Sequence, residues 1–283
     1  MDAEDSLAER FEAQRVHLRS VAYRMLGSLS EAEDAVQEAW FRLSRTDVSG
    51  VENLPGWLTT VVGRVCLDML RARKARREEL GDERLPDPIL THDPEQEVLV
   101  ADQVGIALMV VMETLAPADR LAFVLHDMFA VPFDEIAPII DKTPAATRQL
   151  ASRARRRVKD TAPVPDPDRE RQREAVEAFL AAARDGDLEA LVSVLDPDIE
   201  LRVDLGGGGP LRLVKGARNV AGQALTFRDL AASMEFVLVN GTVGLVNRVD
   251  GSAFSLMALT VADGRITTME IIADRDRLKG LGL

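Results

Sequence analysis

Apolar residues recur at helical spacing through most of the first 160 positions. Between residues 6 and 78 they return every three or four positions, the spacing that places them on one face of an α-helix. Ser30 precedes three acidic residues within four positions, which is typical of an N-cap and an acidic first turn. The pattern predicts helices over residues 6–78, with one break at 46–55.

Proline-rich segments interrupt this helical pattern twice. Residues 80–96 hold three prolines and little periodicity, and residues 161–169 are rich in Pro and Asp. Both segments predict linkers, because proline removes a backbone donor and disfavours helix at the preceding residue. Helices are expected between the linkers, at about 97–115 and 117–129, the second beginning with a proline.

The period changes after residue 170. One helix is expected at about 170–185, and β-like runs follow it. These runs lie at 199–203, 234–239, 242–248, 253–261 and 265–272. Asn240-Gly241, Asp250-Gly251 and Asp263-Gly264 separate the last four runs, and such dipeptides mark tight hairpins. A helix followed by a strand meander predicts an α+β domain.

Charge is distributed unevenly along this pattern. The chain carries a formal net charge of −12, yet residues 64–77 hold six Lys/Arg and one Asp, and residues 142–159 hold seven Lys/Arg and no acid. An acidic protein with two basic helices is expected to present them to a polyanion such as nucleic acid. The alternative is a basic helix that is merely solvated.

Several classes of protein are disfavoured by composition. No apolar run approaches the roughly 18–20 residues that span a bilayer. The acidic N-terminus lacks the apolar core of a signal peptide. Cys66 is the single cysteine, so an internal disulfide is excluded and a reducing cytoplasm is the simplest expectation. With one Cys and three His, we expect no metal site and no cofactor.

The second basic segment fits a helix-turn-helix over residues 133–158. Its first helix contains Pro138, which is expected to distort it. A tight turn at 141–142 is followed by Thr143 as N-cap and Pro144 at the first helical position. Leu150 and Ala154 are expected to face inward, whereas Thr147 fits either the inward or the DNA-facing side.

The outward face of that second helix suits duplex DNA. A recognition helix enters the major groove, where Gln and Arg can bond bidentately to adenine and guanine. Its small first residues would permit close approach. The outward candidates are Arg148, Gln149, Ser152, Arg153 and Arg156.

Motifs in the helical half resemble the extracytoplasmic-function (ECF) sigma factors. AYRMLGS at 22–28, EDAVQEAW at 33–40 and WLTTVVGRVCLDMLR at 57–71 resemble region 2, and the helix-turn-helix ending in RARRRV resembles region 4. The resemblance spans residues 6–160. It implies two all-α sigma domains: a region 2 helical bundle at 1–79 and a region 4 helix-turn-helix at 97–160.

That resemblance implies transcription initiation in the cytoplasm, with core RNA polymerase (its β′ clamp helices and β flap) and promoter DNA as partners. It places clamp-helix docking at Asp34, Gln37 and Trp40, and melting of the −10 element at 57–77. The implied phosphate contacts are Arg64, Arg71, Arg73, Lys74, Arg76 and Arg77. The implied −35 contacts are Thr147, Arg148, Gln149, Ser152, Arg153 and Arg156.

Other roles remain open for some of these residues. Trp40 and Trp57 could be ordinary core residues. Asp68 is expected to be a local helix partner of Arg64 or Arg71.

Residues 170–283 resemble the SnoaL-like cone-shaped α+β fold, through AVEAFLAAARDGDLEALVSVLDPDIEL at 175–201 and the strands behind it. Sigma factors with such a tail form the SigJ-type subgroup. That subgroup carries WLPEP in its linker, a glycine run after an Asp, and IIANPDKL near its end.

The present chain carries matching motifs. They read RLPDP at 84–88, DLGGGG at 204–209 and IIADRDRL at 271–278. The subgroup implies that the tail packs on the sigma domains and controls polymerase engagement. The implied regulatory contacts are Leu85, Pro86, Asp87, Pro88, Asp204, Gly206, Gly207, Gly208 and Lys215.

Two other functions fit the same sequence. One is a helix-turn-helix regulator with a ligand-sensing tail that acts without polymerase. The other is a SnoaL-like isomerase or hydrolase fused to DNA-binding helices. Residues 162–283 hold no His, Cys, Tyr or Trp, which leaves only generic acid–base candidates at Asp198, Asp204 and Asp229. We therefore expect a regulatory domain rather than an enzyme, whose pocket could hold an unknown small ligand.

Overall fold

The structure is a computed structural model, and it describes residues 3–47, 50–80, 83–90, 105–249 and 251–283. Its contacts divide the chain into two units. One comprises Met1–Leu80 and Val111–Thr161, and the other comprises Gly81–Val110 and Ala162–Leu283. The segment 83–90, expected as a linker, therefore belongs with the α+β unit.

The first unit begins with four helices that bury one apolar face each. They are α1 (Ala3–Glu12), α2 (Arg15–Leu26), α3 (Leu29–Leu43) and α4 (Leu54–Leu80). Their core includes Leu18, Met25, Leu26, Leu58 and Leu67, all 1% exposed or less. The helical periodicity of the sequence is confirmed here.

The N-cap of α3 differs from the sequence prediction. Ser28, not Ser30, caps this helix, and its Oγ accepts a hydrogen bond from the Glu31 N–H at 3.5 Å. Gly27 ends α2 at a φ of 71° and leaves Ser28 in the extended conformation that an N-cap requires. Ser30 consequently lies inside the first turn of α3.

The remaining helices of this unit include the predicted helix-turn-helix. They are the last three residues of α5 (Ile106–Glu113), then α6 (Pro117–Phe123), a π-helical turn (Val124–Met128), α7 (Phe133–Ile136), a 3₁₀ turn (Ala137–Ile139) and α8 (Pro144–Thr161). The residues of α5 up to Val110 belong to the second unit. The distortion expected from Pro138 is confirmed, since α7 changes to 3₁₀ geometry at Ala137. Thr143 Oγ1 accepts from the Ala146 N–H at 3.2 Å, which confirms the predicted cap. Residues 97–104 of the expected helix lie outside the described residues.

The second unit is built on a six-stranded sheet with the order β2-β1-β6-β5-β4-β3. Its strands are β1 (Leu195–Asp204), β2 (Arg212–Lys215), β3 (Met234–Val239), β4 (Thr242–Val249), β5 (Ser252–Ala262) and β6 (Arg265–Ile272). β1 and β6 pair in parallel, and the other pairs are antiparallel. Strand β2 was missed by the sequence analysis. The predicted hairpins at Asn240-Gly241 and Asp263-Gly264 are present with positive φ, while Asp250 lies outside the described residues.

The two faces of this sheet are covered differently. Helices α9 (Arg169–Asp185), α10 (Leu188–Val194) and α11 (Ala217–Thr226), with a 3₁₀ turn (Arg228–Ser233), pack on one face. The opposite face is covered by α12 (Arg275–Gly280) together with Leu85, Leu90 and Ile106. Both faces of the sheet are therefore covered, which explains why β4 and β5 are buried along most of their length. None of the helices in the described ranges is both long and apolar enough to span a membrane.

Candidate nucleic-acid and regulatory sites

The residues expected to dock on polymerase lie on α3. Asp34 and Gln37 are exposed and lie one turn apart on the same face of the helix. Trp40 is half-buried, and its ring centroid lies 5.1 Å from that of Phe11. Trp40 thus packs against Phe11 and is only partly accessible, whereas Asp34 and Gln37 present their side chains to solvent.

Three of the six cations expected to contact promoter DNA share an exposed face of α4. Arg64, Arg71 and Lys74 are spaced seven and three residues apart, which places them along one side of the helix. Asp68 lies among them and pairs with Arg71 at 3.7 Å, so the predicted local ion pair is present. The side chains of Arg76 and Arg77 lie outside the described residues.

Arg73 requires a correction, because its side chain points into the helical unit. It is 18% exposed, its Nη1 donates to the Leu26 carbonyl at 2.8 Å, and it pairs with Glu31 and Glu113. Glu113 also accepts from Arg120 Nη1 at 2.6 Å. Position 73 lies about 100° around the helix from position 74 and therefore faces inward. Arg73 is thus a packing residue and is removed from the expected phosphate contacts.

The recognition helix α8 presents a polar outer face. Arg148, Gln149, Ser152 and Arg156 are exposed, and the Arg148 guanidinium lies 5.4 Å from the Phe133 ring centroid. Arg153 is also exposed but pairs with Asp119 at 3.0 Å. This face has the donors that base edges and phosphates require.

Thr147 is a second correction on this helix. It is fully buried, and its hydroxyl donates to the Thr143 carbonyl at 3.0 Å. The inward alternative for Thr147 is therefore the right one. Its position beside Ala151 and Ala154 on the buried stripe of α8 removes it from the DNA-facing set.

The linker segment is held on the sheet by a cluster that we call the linker clamp: Leu85, Asp87, Asp204 and Arg277. The Leu85 N–H donates to Asp204 Oδ2 at 3.1 Å, and Arg277 donates to the same oxygen at 2.6 Å. Arg277 also donates to the Leu85 carbonyl at 2.9 Å and to Asp87 at 2.7 Å. Asp204 is 3% exposed, so its charge is buried and paired.

A second attachment lies four residues further along the linker. Ile89 and Asn240 bond to each other twice, through the Ile89 N–H to Asn240 Oδ1 and the Asn240 N–H to the Ile89 carbonyl, both at 2.8 Å. Leu90 forms a β-bridge with Val239. Pro86 and Pro88 are buried between the two attachments. Residues 85–90 therefore form an ordered strip on the sheet.

Sequence reasoning missed two residues that hold this strip. Arg277 occupies the Lys position of the family's C-terminal motif, so that motif carried the signal. Asn240 was interpreted only as a turn residue, because its turn conformation gives no sign of its bonds to a segment about 150 positions earlier.

The glycine run at 206–208 contacts the linker clamp through a backbone hydrogen bond to Asp204. The Gly206 N–H donates to Asp204 Oδ1 at 3.0 Å, and Gly206, Gly207 and Gly208 all have φ near 75°. A Cβ on Gly206 would lie 2.5 Å from Asp274 Oδ2. Lys215, in contrast, pairs with Glu200 at 2.5 Å. The structure therefore places Lys215 outside the linker clamp, which corrects that expectation.

A buried carboxyl group lies on the same face of the sheet. Glu270 is 2% exposed and accepts from Thr268 at 3.2 Å, while Arg202 lies 3.4 Å away. Burial raises the pKa of Glu270 to about 7, although Arg202 and Thr268 oppose this shift.

The helix-covered face of the sheet holds a partly open cavity of about 210 Å³. Its walls include Phe179, Val203, Leu205, Met234, Met257 and Met269. Of the described residues that line it, none is Asp, Glu, His, Cys or Tyr. The generic acid–base candidates Asp198, Asp204 and Asp229 lie elsewhere, so this cavity offers a ligand apolar contact rather than acid–base chemistry.

Comparison with known proteins identifies two family models in the first 160 residues and relatives over almost the whole chain. The models for Sigma-70 region 2 and Sigma-70 region 4 match residues 11–76 and 106–158. The ECF RNA polymerase sigma factor SigJ of Mycobacterium tuberculosis (strain H37Rv) is 40% identical over 289 positions, covering 95% of this chain and 92% of that protein. The probable ECF RNA polymerase sigma factor SigI of the same species is 32% identical, covering 99% and 98%.

A crystal structure of M. tuberculosis SigJ is similar over almost the whole chain. It aligns with a TM-score of 0.78 at 39% identity and covers 96% of this chain and 98% of that one. The predicted fold class, two all-α sigma domains followed by an α+β domain, is confirmed by this similarity.

Proposed function

The chain belongs to the ECF RNA polymerase sigma factors, and on that premise we propose that it joins core RNA polymerase and directs initiation at a specific set of promoters, under the control of its C-terminal domain. The observation that carries the first part is the near full-length similarity to SigJ. Membership of this family does not support a helix-turn-helix regulator that acts without polymerase. Joining polymerase would place the protein in the cytoplasm.

In this proposal, three exposed surfaces each bind a different partner during initiation. The α3 face with Asp34 and Gln37 docks on the β′ clamp helices, with Trp40 beside it. The α4 face with Arg64, Arg71 and Lys74 neutralises phosphates of the melted −10 strand, because cationic grooves track single-stranded backbones. The α8 face reads duplex DNA at the −35 element and approaches the β flap. Its proposed contacts are Arg148, Gln149, Ser152, Arg153 and Arg156.

Control by the C-terminal domain is supported by the linker clamp. Along the chain, the linker connects α4, the proposed contact for the −10 element, to the helix-turn-helix with α8, the proposed contact for the −35 element. Its residues 85–90 are ordered on the C-terminal sheet. A free linker would be a flexible spacer, whereas an attached one has a fixed path. We infer that attachment and release of this strip set the separation that the α4 and α8 faces can adopt on promoter DNA. The acid-free lining of the cavity supports a regulatory rather than catalytic domain.

Transcription with purified core polymerase tests both parts. Promoters would be recovered by run-off transcription of genomic DNA, and the full chain would be compared with a 1–165 truncation. Core binding with promoter-specific output that differs several-fold between the two proteins is the expected result. Failure of the full chain to bind core would overturn the sigma role, and equal output from the two proteins would overturn control by the tail.

A further inference from the structure

We propose that the cavity of the C-terminal domain binds a small, largely apolar molecule with one hydrogen-bond donor, and that Asn247 accepts that hydrogen bond. The inference deepens the proposed control and rests on it for its biological meaning. The binding site itself stands on the cavity and on Asn247 alone.

The cavity wall selects for apolar molecules of modest size. Three methionines and the aromatic rings of Phe179, Phe227 and Phe254 contribute to it. At about 210 Å³ it is smaller than the roughly 300–1,000 Å³ typical of pockets for drug-sized ligands. Methionine adapts its shape to an irregular guest, and burial of apolar surface supplies the driving force for binding.

Asn247 provides an unsatisfied acceptor beside this wall. It is 1% exposed, and its Nδ2 donates to the Leu230 carbonyl and to Ser233 Oγ, both at 2.9 Å. These two acceptors fix the orientation of the amide, because a reversed amide would set oxygen against the Leu230 carbonyl. Within the described part of the chain, Oδ1 has no hydrogen-bond partner. A buried acceptor without a partner is costly, so a donor at this position would be stabilising.

Asn247 is not itself a lining residue, but the strand register places it directly beside residues that line the cavity. Met234 on β3 and Ser255 on β5 are its direct cross-strand partners, and both line the cavity. Leu230, which accepts from its amide, lines the cavity as well. Leu245, two residues earlier on β4, packs in the core on that face of the sheet. Successive side chains alternate between faces, so Asn247 lies on the cavity side.

The ligand needs no charge. The one charged residue among the described cavity-lining residues is Arg212, which is exposed and already donates to Gln223 at 2.9 Å. A neutral hydroxyl or N–H group on an apolar body therefore fits better than a carboxylate or an amine.

The cavity and the linker strip share two strand ends. At the end of β1, Val203 and the residue that follows the strand, Leu205, line the cavity, while Asp204 between them holds the linker clamp. On β6, Ile271 lines the cavity, while its neighbour Ile272 packs in the same cluster as Leu85. A guest that displaces the backbone of these strand ends would move both sets of side chains together. Occupancy of the cavity would thus be communicated to the strip at 85–90.

A titration of the full chain labelled with ¹³C at its methionine methyl groups tests the site. The probes are 4-propylphenol and 1-fluoro-4-propylbenzene, which have similar size and differ in the hydrogen-bond donor. The Met234, Met257 and Met269 methyl signals are expected to shift, while methionines outside the cavity serve as references. The phenol should bind about tenfold more tightly than the fluoro compound, because only the phenol satisfies Asn247.

Variants assign the hydrogen bond. Asn247→Leu should bring the two affinities to within about twofold of each other. Asn219→Leu is the matched control, since Asn219 is exposed on α11 and donates to the Lys215 carbonyl. Equal affinities in the unmodified chain would overturn the role of Asn247 even if Asn247→Leu failed to fold. Absence of any shift up to the solubility limit would overturn the site.

Hydrogen exchange at the Leu85 and Ile89 amides tests the coupling. Saturating 4-propylphenol should change their exchange rates at least threefold, and unchanged rates would overturn the link to the linker. Neither measurement uses polymerase or DNA, so failure of the ligand site is distinguishable from failure of the sigma role in transcription.

Discussion

The two faces of the C-terminal sheet are made from alternate residues of the same strands, yet they differ in chemistry. The helix-covered face holds an apolar cavity whose one charged lining residue among those described is Arg212. The opposite face buries the ionised pair Asp204–Arg277 and the carboxyl of Glu270. Apolar contacts have no fixed direction, whereas the buried carboxylate Asp204 bonds at set distances to Leu85 and Arg277. The linker strip is therefore held at defined positions on the charged face, and the proposed ligand would meet mainly apolar contacts on the other face.

The largest expected effect comes from breaking the charged face at Arg277. Arg277→Met leaves Asp204 buried without its cation, which should cost about 3–5 kcal/mol in the free energy of unfolding of the C-terminal unit. Denaturant unfolding monitored by hydrogen exchange at Leu85 and Ile89 measures it. Arg275→Met is the control, because Arg275 is exposed on the same helix. A loss equal to that of the control would show that the clamp contributes little.

The buried carboxyl of Glu270 should make the stability of the charged face depend on pH. Its pKa in the folded state, about 7, lies above the ordinary value of 4.5. Between these values the folded state holds a proton that the unfolded state releases, so the free energy of unfolding falls as pH rises through this window. The charge penalty is complete above about pH 7 and absent below about pH 4.5.

The variant Glu270→Gln should therefore gain stability over the unmodified chain at pH 8, by roughly 2–3 kcal/mol, and lose this advantage near pH 4.5. Urea unfolding of both proteins across that range measures the difference. A difference that does not change with pH would contradict the assignment to Glu270.

Substitution of Gly206 tests how much the backbone conformation next to Asp204 contributes to stability. Gly206→Ala should destabilise the C-terminal unit by about 2–4 kcal/mol, since it combines a left-handed φ with a close approach to Asp274. Gly207→Ala has the same φ but open space around its Cβ, so only about 1–2 kcal/mol is expected. Thermal unfolding of the two variants gives the comparison. Equal losses would mean that the contact with Asp274 is easily relieved.

The smallest effect is expected at Lys215. Its ion pair with Glu200 joins side chains that are 62% and 27% exposed, so Lys215→Met should change the free energy of unfolding by about 0–1 kcal/mol. Exchange at the Leu85 amide should be unchanged. Faster exchange at Leu85 would return Lys215 to the linker clamp.

Local patterns explain how much of the fold the sequence predicted. Helical spacing, the Thr143 cap, the distortion at Pro138 and the hairpins at Asn240-Gly241 and Asp263-Gly264 all depend on a few neighbouring residues, and these predictions are confirmed. Strand β2 was not predicted because its four residues, Arg-Leu-Val-Lys, show no alternation of apolar and polar positions.

The sequence could not predict which way side chains point around a helix, nor contacts between residues far apart along the chain. Counting cations identified the basic helices but could not show that Arg73 points inward while Arg71 points outward. The partners of the linker strip lie 119–192 positions away from it along the chain. Only the folded sheet brings Asn240 and Arg277 to the strip.

The central claim is that the C-terminal domain controls transcription by holding the linker. The direct measurement is promoter-specific transcription by core polymerase with the full chain, with Arg277→Met and with Arg275→Met. Folding of each variant would be checked by circular dichroism. Arg277→Met is expected to change the output several-fold, while Arg275→Met should match the unmodified chain. Equal output from all three proteins would contradict it.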